Sequence, residues 1–78
     1  MKVLLVEDEP KMVRSLKKGL EENLIEVDAA MDGAAGRRLA EANEYAVIIS
    51  DVMMPELNGL DMLRQLRQNG NQTPVILL

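Results

Sequence analysis

A three-layer α/β fold built on one parallel sheet is predicted for this 78-residue chain. Three observations predict it. Four short runs of β-forming residues recur along the chain, a segment of helical period separates each run from the next, and turn residues stand at the junctions. The resulting order, β-α-β-α-β-α-β, implies right-handed crossovers that lay all four strands parallel.

The first run, Lys2–Val6, is apolar and β-branched enough to be a strand buried on both faces. Glu7-Asp8-Glu9-Pro10 opens a helix, with Asp8 as its N-cap and Pro10 near the first helical position. Met12, Val13, Leu16 and Leu20 repeat at helical spacing, and Lys11, Arg14, Lys17, Lys18, Glu21 and Glu22 take the other side. Ile25–Ala30 is a second strand. Asp32-Gly33 is a turn, and Ala34–Asn43 an alanine-rich helix expected to pack through Ala35, Leu39 and Ala42. Ala46–Ser50 is the third strand, followed by a loop from Asp51 to Asn58 that carries Pro55. Asn58 caps a third helix running to about Asn69. Gly70-Asn71-Gln72 ends it, and Thr73–Leu78 is a fourth strand with Pro74 at its start.

If the third strand pairs with the first rather than the second, the sheet order becomes 2-1-3-4. The first helix then covers one face and the other two helices the opposite face. The winding reverses between strands one and three, and ligands of such sheets bind outside the carboxyl ends of the strands at that point.

Composition narrows the chemistry. Apolar residues make up 47% of the chain, enough for a core, yet the only aromatic is Tyr45. The chain has no Cys and no His, which removes thiolate chemistry and the commonest general base and transition-metal ligand. A net charge of −4 argues against direct binding of nucleic acid or an anionic membrane. No apolar run approaches the roughly 20 residues that span a bilayer, and no signal-peptide pattern opens the chain.

Carboxylates carry the candidate site. Glu7 and Asp8 follow the first strand, and Asp51 follows the third. Taken singly, Asp8 is more often a helix cap and Asp51 a polar strand end. Together at a switch point they form an all-oxygen site of the kind a hard cation needs. Mg²⁺ suits it, with Asp8 and Asp51 binding directly, Glu7 through water, and a backbone carbonyl just past Asp51 completing the shell. A phosphoryl donor sharing that ion would present phosphorus to an Asp51 oxygen, giving an acyl phosphate. Glu9, Lys17, Lys18, Arg37 and Arg38 read as solvated helix charge, Met53 and Met54 as core or loop filler, and Gly59 as a site of close helix packing. Neither G-x-G-x-x-G nor G-x-x-x-x-G-K-[ST] occurs, and Met53 stands where a D-x-D phosphatase needs its second carboxylate.

Five stretches carry a family resemblance: Lys2 through Glu9, Tyr45 through Asp51, Met53-Met54-Pro55, Asn58-Gly59, and Thr73 through Leu78. Over its whole length the chain resembles a response-regulator receiver domain of two-component signalling, and its Val6-Glu7-Asp8-Glu9 opening is similar to the subclass that drives winged-helix transcription factors. The resemblance implies a flavodoxin-like fold and a cytoplasmic phosphoacceptor rather than an enzyme. It implies Asp51 as the acceptor, Glu7 and Asp8 as the acidic Mg²⁺ pair, the Met53 carbonyl as a further metal ligand, and a sensor histidine kinase as the phosphoryl source. Leu24-Ile25 stands where many members carry Gly and an aromatic, Ala46 where many carry Asp, and Glu56 where many carry Gly. By the same resemblance, residues 1–78 are expected to be the N-terminal portion of a receiver domain, without its last strand and last two helices and with no second domain. Two expectations follow from that reading. One is a signalling-impaired module lacking the switch hydroxyl and the phosphate-facing Lys. The other is a half-domain that self-associates through Thr73–Leu78 as a homodimeric scaffold.

Overall fold

The strand Lys2–Val6 (β1) lies inside the sheet because four of its five side chains are fully enclosed, an arrangement only a central strand covered on both faces permits. The computed structural model describes residues 1–78. Around β1 the chain forms α1 (Pro10–Glu22), β2 (Glu26–Ala30), α2 (Gly33–Ala42), β3 (Val47–Ser50), α3 (Gly59–Gln68) and β4 (Val75–Leu77). All strands are parallel, in the order β2-β1-β3-β4. The third strand does pair with the first, and the winding reverses between them.

Register decides what meets at the carboxyl rim. Val6 lies level with Ala30 on one side and Ser50 on the other. Hydrogen bonding runs one residue further, with the Glu7 N–H donating to the Ala30 carbonyl at 3.0 Å and the Asp51 N–H to the Val6 carbonyl at 2.9 Å. The acids that follow β1 and β3 therefore emerge side by side.

Strand alternation sorts the core. Leu4, Val6 and Ile48 join Ala40, Tyr45, Met54, Met62 and Leu66 in one cluster with α2 and α3. Val3 and Leu5 are buried on the opposite face, toward α1. Helix α1 covers its side lightly: Val13, Leu16 and Leu20 are half-buried and none of its residues is fully buried.

Two expectations need correction. The N-cap of α1 is Glu9, not Asp8: its carboxylate accepts the Met12 N–H at 2.9 Å, and Pro10 is the first helical residue. A proline at that position makes the preceding residue the cap, which leaves the Asp8 side chain for the rim. Helix α2 packs through Gly33, Gly36 and Ala40, with Ala35 and Leu39 half-buried and Ala42 exposed. It lies so near the sheet that a β-carbon on Gly36 would stand 2.8 Å from a Val6 methyl and 3.0 Å from the Met62 sulfur. Strand ends are also shorter than expected: Ile25, Ala46, Thr73, Pro74 and Leu78 fall outside them.

Candidate metal and phosphoacceptor site

Glu7, Asp8 and Asp51 meet at the switch point. Each offers one carboxylate oxygen, and these three atoms lie within 4.8 Å of one another. Glu7 is buried, at 7% exposure, while Asp8 and Asp51 are half-buried and open toward solvent. The cluster sits where loops leave the carboxyl ends of β1 and β3, the position that open α/β sheets use for ligands.

Local backbone fixes two of the three side chains. Glu7 Oε1 accepts the Glu9 N–H at 3.3 Å. Asp51 Oδ1 accepts the Met53 N–H at 3.1 Å, a turn in which the side chain takes the place of a backbone carbonyl. Pre-positioned acids of this kind lose little entropy when a ligand arrives.

The electrostatics favour a cation. Burial pushes the Glu7 carboxyl above its usual value of 4.5, and the neighbouring Asp51 and Asp8 charges push it the same way, against the lowering effect of the Glu9 N–H. Proton affinity rises because negative charge is crowded and partly desolvated. A divalent ion would relieve the same crowding.

Three further residues shape the site. Ser50, fully buried at the end of β3, donates its hydroxyl to the Asp51 carbonyl at 2.9 Å. Gly59 opens α3 against that carbonyl, and its N–H donates to the Val52 carbonyl at 3.1 Å. Asn58 caps α3 by accepting the Asp61 N–H at 2.9 Å, as its position before Gly59 suggests. Reasoning from sequence misses Ser50. The available signal is a hydroxyl where the face of β3 that carries Ile48 should bear an apolar side chain. Met53 and Met54 divide: Met54 is in the core at 7% exposure, and Met53 stands out at 80% beside the acids.

At the other end of the sheet lies a separate polar group. The Tyr45 hydroxyl donates to Asp28 Oδ2 at 2.7 Å, and Lys2 Nζ pairs with the same oxygen at 3.1 Å while lying 5.5 Å from the Tyr45 ring centroid. It ties β1, β2 and the entry to β3 together and has no part in the acidic rim.

Comparison with known proteins agrees with this fold. The family model described as response regulator receiver domain matches residues 3–78. The chain is 46% identical over 78 residues to the probable transcriptional regulatory protein SilR of Salmonella typhimurium, and 45% identical to the transcriptional regulatory protein CusR of Escherichia coli strain K12. Both matches cover 100% of this chain and 34% of the relative, so the chain spans about a third of the length of these curated relatives. Among solved structures, the receiver domain of Francisella response regulator 1452 superposes with a TM-score of 0.94 at 41% identity, covering 97% of this chain and 63% of that one. The Thermotoga maritima response regulator TrrA, solved in complex with Mg²⁺-BeF, superposes at 0.91 with 30% identity, covering 97% and 66%. With the family pattern matched over all but the first two residues, the chain belongs to the response regulator receiver domain family.

Proposed function

We propose that this chain is the phosphoacceptor part of a two-component signalling protein, with Asp51 receiving a phosphoryl group from a sensor histidine kinase in a Mg²⁺-dependent reaction. The observation that carries the reading is the approach of the Glu7, Asp8 and Asp51 oxygens to within 4.8 Å of one another. An all-carboxylate donor set without His or Cys fits a hard cation and no softer one. Asp8 and Asp51 would hold Mg²⁺ directly, Glu7 through water, and the Met53 carbonyl would complete the protein's share. When bound, the ion offsets the crowded negative charge and draws phosphoryl oxygens toward the acids. The complex of the TrrA relative with Mg²⁺-BeF supports this choice of ion.

The residues divide the work. An Asp51 carboxylate oxygen attacks phosphorus; the P–N bond to the donor imidazole breaks, and the departing imidazole nitrogen takes a proton. The Met53 N–H, bonded to Asp51 Oδ1, keeps the carboxylate from rotating as the donor docks. Glu7 is too enclosed to be an efficient acceptor and serves as charge. A cytoplasmic location accompanies the reading. No helix is long and apolar enough to cross a membrane.

Incubation with Mg²⁺ and acetyl phosphate, followed by intact-mass spectrometry, tests it. A single phosphoryl adduct, absent without Mg²⁺ and absent in Asp51→Ala, is expected. No adduct on a folded chain that binds Mg²⁺ would contradict it.

One observation favours a second reading. β4 is an edge strand on which Ile76 is 50% exposed and the following Leu78 61% exposed. Uncharged edges of this kind pair with other strands, so two copies could join through β4 as a scaffold. Light scattering at micromolar concentration separates the readings: a monodisperse monomer excludes the second.

A further inference from the structure

Ser50 occupies a place where a hydroxyl contributes little to folding. It ends β3 at 0% exposure. Enclosing a hydroxyl costs about what its one hydrogen bond returns, so an alanine of nearly the same volume would fold as well. The interest lies in what that bond holds.

Around the acceptor the backbone is almost fully paired. The Asp51 N–H donates to Val6 at 2.9 Å, the Ser50 carbonyl accepts from Leu78 at 2.9 Å, the Val52 N–H donates to Leu78 at 3.4 Å, and the Val52 carbonyl accepts from Gly59 at 3.1 Å. The Asp51 carbonyl has no backbone donor, and Ser50 Oγ supplies its bond at 2.9 Å. Gly59 closes the other side: a β-carbon there would stand 2.9 Å from Ser50 Oγ and collide with the Asp51 carbonyl oxygen. The Asp51–Val52 peptide is thus clamped between a hydroxyl and a helix start. Its plane sets where the Asp51 carboxylate leaves the chain and where the Met53 N–H can reach Asp51 Oδ1.

We infer that Ser50 is a positioning residue for Asp51, whose buried hydroxyl orients the acceptor carboxylate and the Met53 backbone toward the shared cation. This rests on the proposed function only in assigning that cation to Glu7, Asp8 and Asp51. Ser50 touches neither ion nor phosphoryl group and acts through the peptide it holds.

The test is a Mg²⁺ titration of the 78-residue chain followed by backbone amide resonances, with Ser50→Ala, Ser50→Cys, Ser50→Thr and the same-face core control Ile48→Val. Loss of a group that orients a metal ligand weakens metal binding by about 10-fold or more. That loss is expected for Ser50→Ala and, because a thiol is a poor donor, for Ser50→Cys. Ser50→Thr, which keeps the hydroxyl, should retain most of the affinity. The Met53 amide of metal-free Ser50→Ala should also move toward a weaker hydrogen bond, and Ile48→Val should alter neither property. Unchanged Mg²⁺ affinity in Ser50→Ala, or equal weakening in Ile48→Val, overturns the inference. Acetyl phosphate uptake is followed in parallel. If the unsubstituted chain binds Mg²⁺ but takes up no phosphoryl group, the functional reading fails while the titration still decides the role of Ser50. If it binds no Mg²⁺, both fail.

Discussion

Gly59 backs directly onto Asp51: the first residue of α3 meets the Asp51 carbonyl so closely that no β-carbon fits between them. A helix needed for the core and an acid needed for the site therefore share one contact. Gly59→Ala must move α3 or twist the Asp51 peptide. Overpacking of this kind costs about 1–3 kcal/mol, and chemical denaturation of the variant should show it. The same variant should bind Mg²⁺ more weakly than its residual fold alone explains, which titration under native conditions measures.

Leu24 and Gly70 occupy equivalent places after two helices. Behind α1, the Leu24 N–H donates to Glu21 and the Ile25 N–H to Leu20. Behind α3, the Gly70 N–H donates to Arg67 and the Asn71 N–H to Leu66. Both junctions are the paired-bond helix ending that calls for a left-handed residue. Gly70 takes it at φ 81°, while Leu24 is held at φ 62° with its side chain 93% exposed. A leucine there carries steric strain and gains no burial. Leu24→Gly should stabilise the chain by about 0.5–1 kcal/mol after the entropic cost of glycine, seen as a higher Tm in calorimetry.

Tyr45 supplies a pH prediction free of the candidate metal site. Burial, then the bonded Asp28 carboxylate, pushes its phenol from 10.0 up to about 12. Ionisation is thus harder in the folded chain than in the unfolded one. The stabilisation is fully present below pH 10.0 and is lost as pH climbs from there toward about 12. As the only aromatic residue, Tyr45 reports its own titration through phenolate absorbance. Tyr45→Phe should abolish that signal and cost about 1 kcal/mol, no more, because the bond is partly screened by water: the Asp28 side chain is 37% exposed.

Glu7 gives a slope of the same sign at lower pH. Its folded value lies above 4.5, chiefly through burial, so the metal-free fold loses stability as pH rises from 4.5 through that raised value and stays lower beyond it. Mg²⁺ should reverse the loss near neutrality, adding about 2.7 kcal/mol when present at 100 times its Kd. Glu7→Gln should melt higher than the unsubstituted chain without metal at neutral pH and respond less to Mg²⁺. Thermal scans across pH, with and without Mg²⁺, check both.

Much of the fold and the site is legible in the amino-acid order alone. The β1 limits, the N-cap Asn58, the switch point and the gathering of Glu7, Asp8 and Asp51 follow from apolar period, turn chemistry and the handedness of crossovers. What escapes depends on how closely elements approach. Gly33 reads as a turn residue and Gly36 goes unremarked within a helix expected to pack by its alanines, yet their missing side chains are what let α2 sit against Val6 and Leu57. Asp8 reads as the α1 cap because Asp is the better capping type, while the proline next to Glu9 overrules that preference. The Lys2–Asp28–Tyr45 group becomes visible only once strand register is known, since it joins β1, β2 and the loop before β3, and the meeting of Ser50 with Gly59 only once α3 is docked. Apolar period assigns each residue to a face, but contact distances between faces lie outside it.

One divalent ion lying between the ends of β1 and β3 is the claim on which the functional reading depends. Backbone amide spectra recorded during a Mg²⁺ titration test this most directly. Saturable shifts at a single site, centred on Glu7, Asp8, Asp51 and Met53 and abolished in Asp8→Asn, are the predicted result. Saturating Mg²⁺ that leaves those four amides unmoved, or moves them no more than the exposed acids Glu21 and Glu22 on α1, would contradict it.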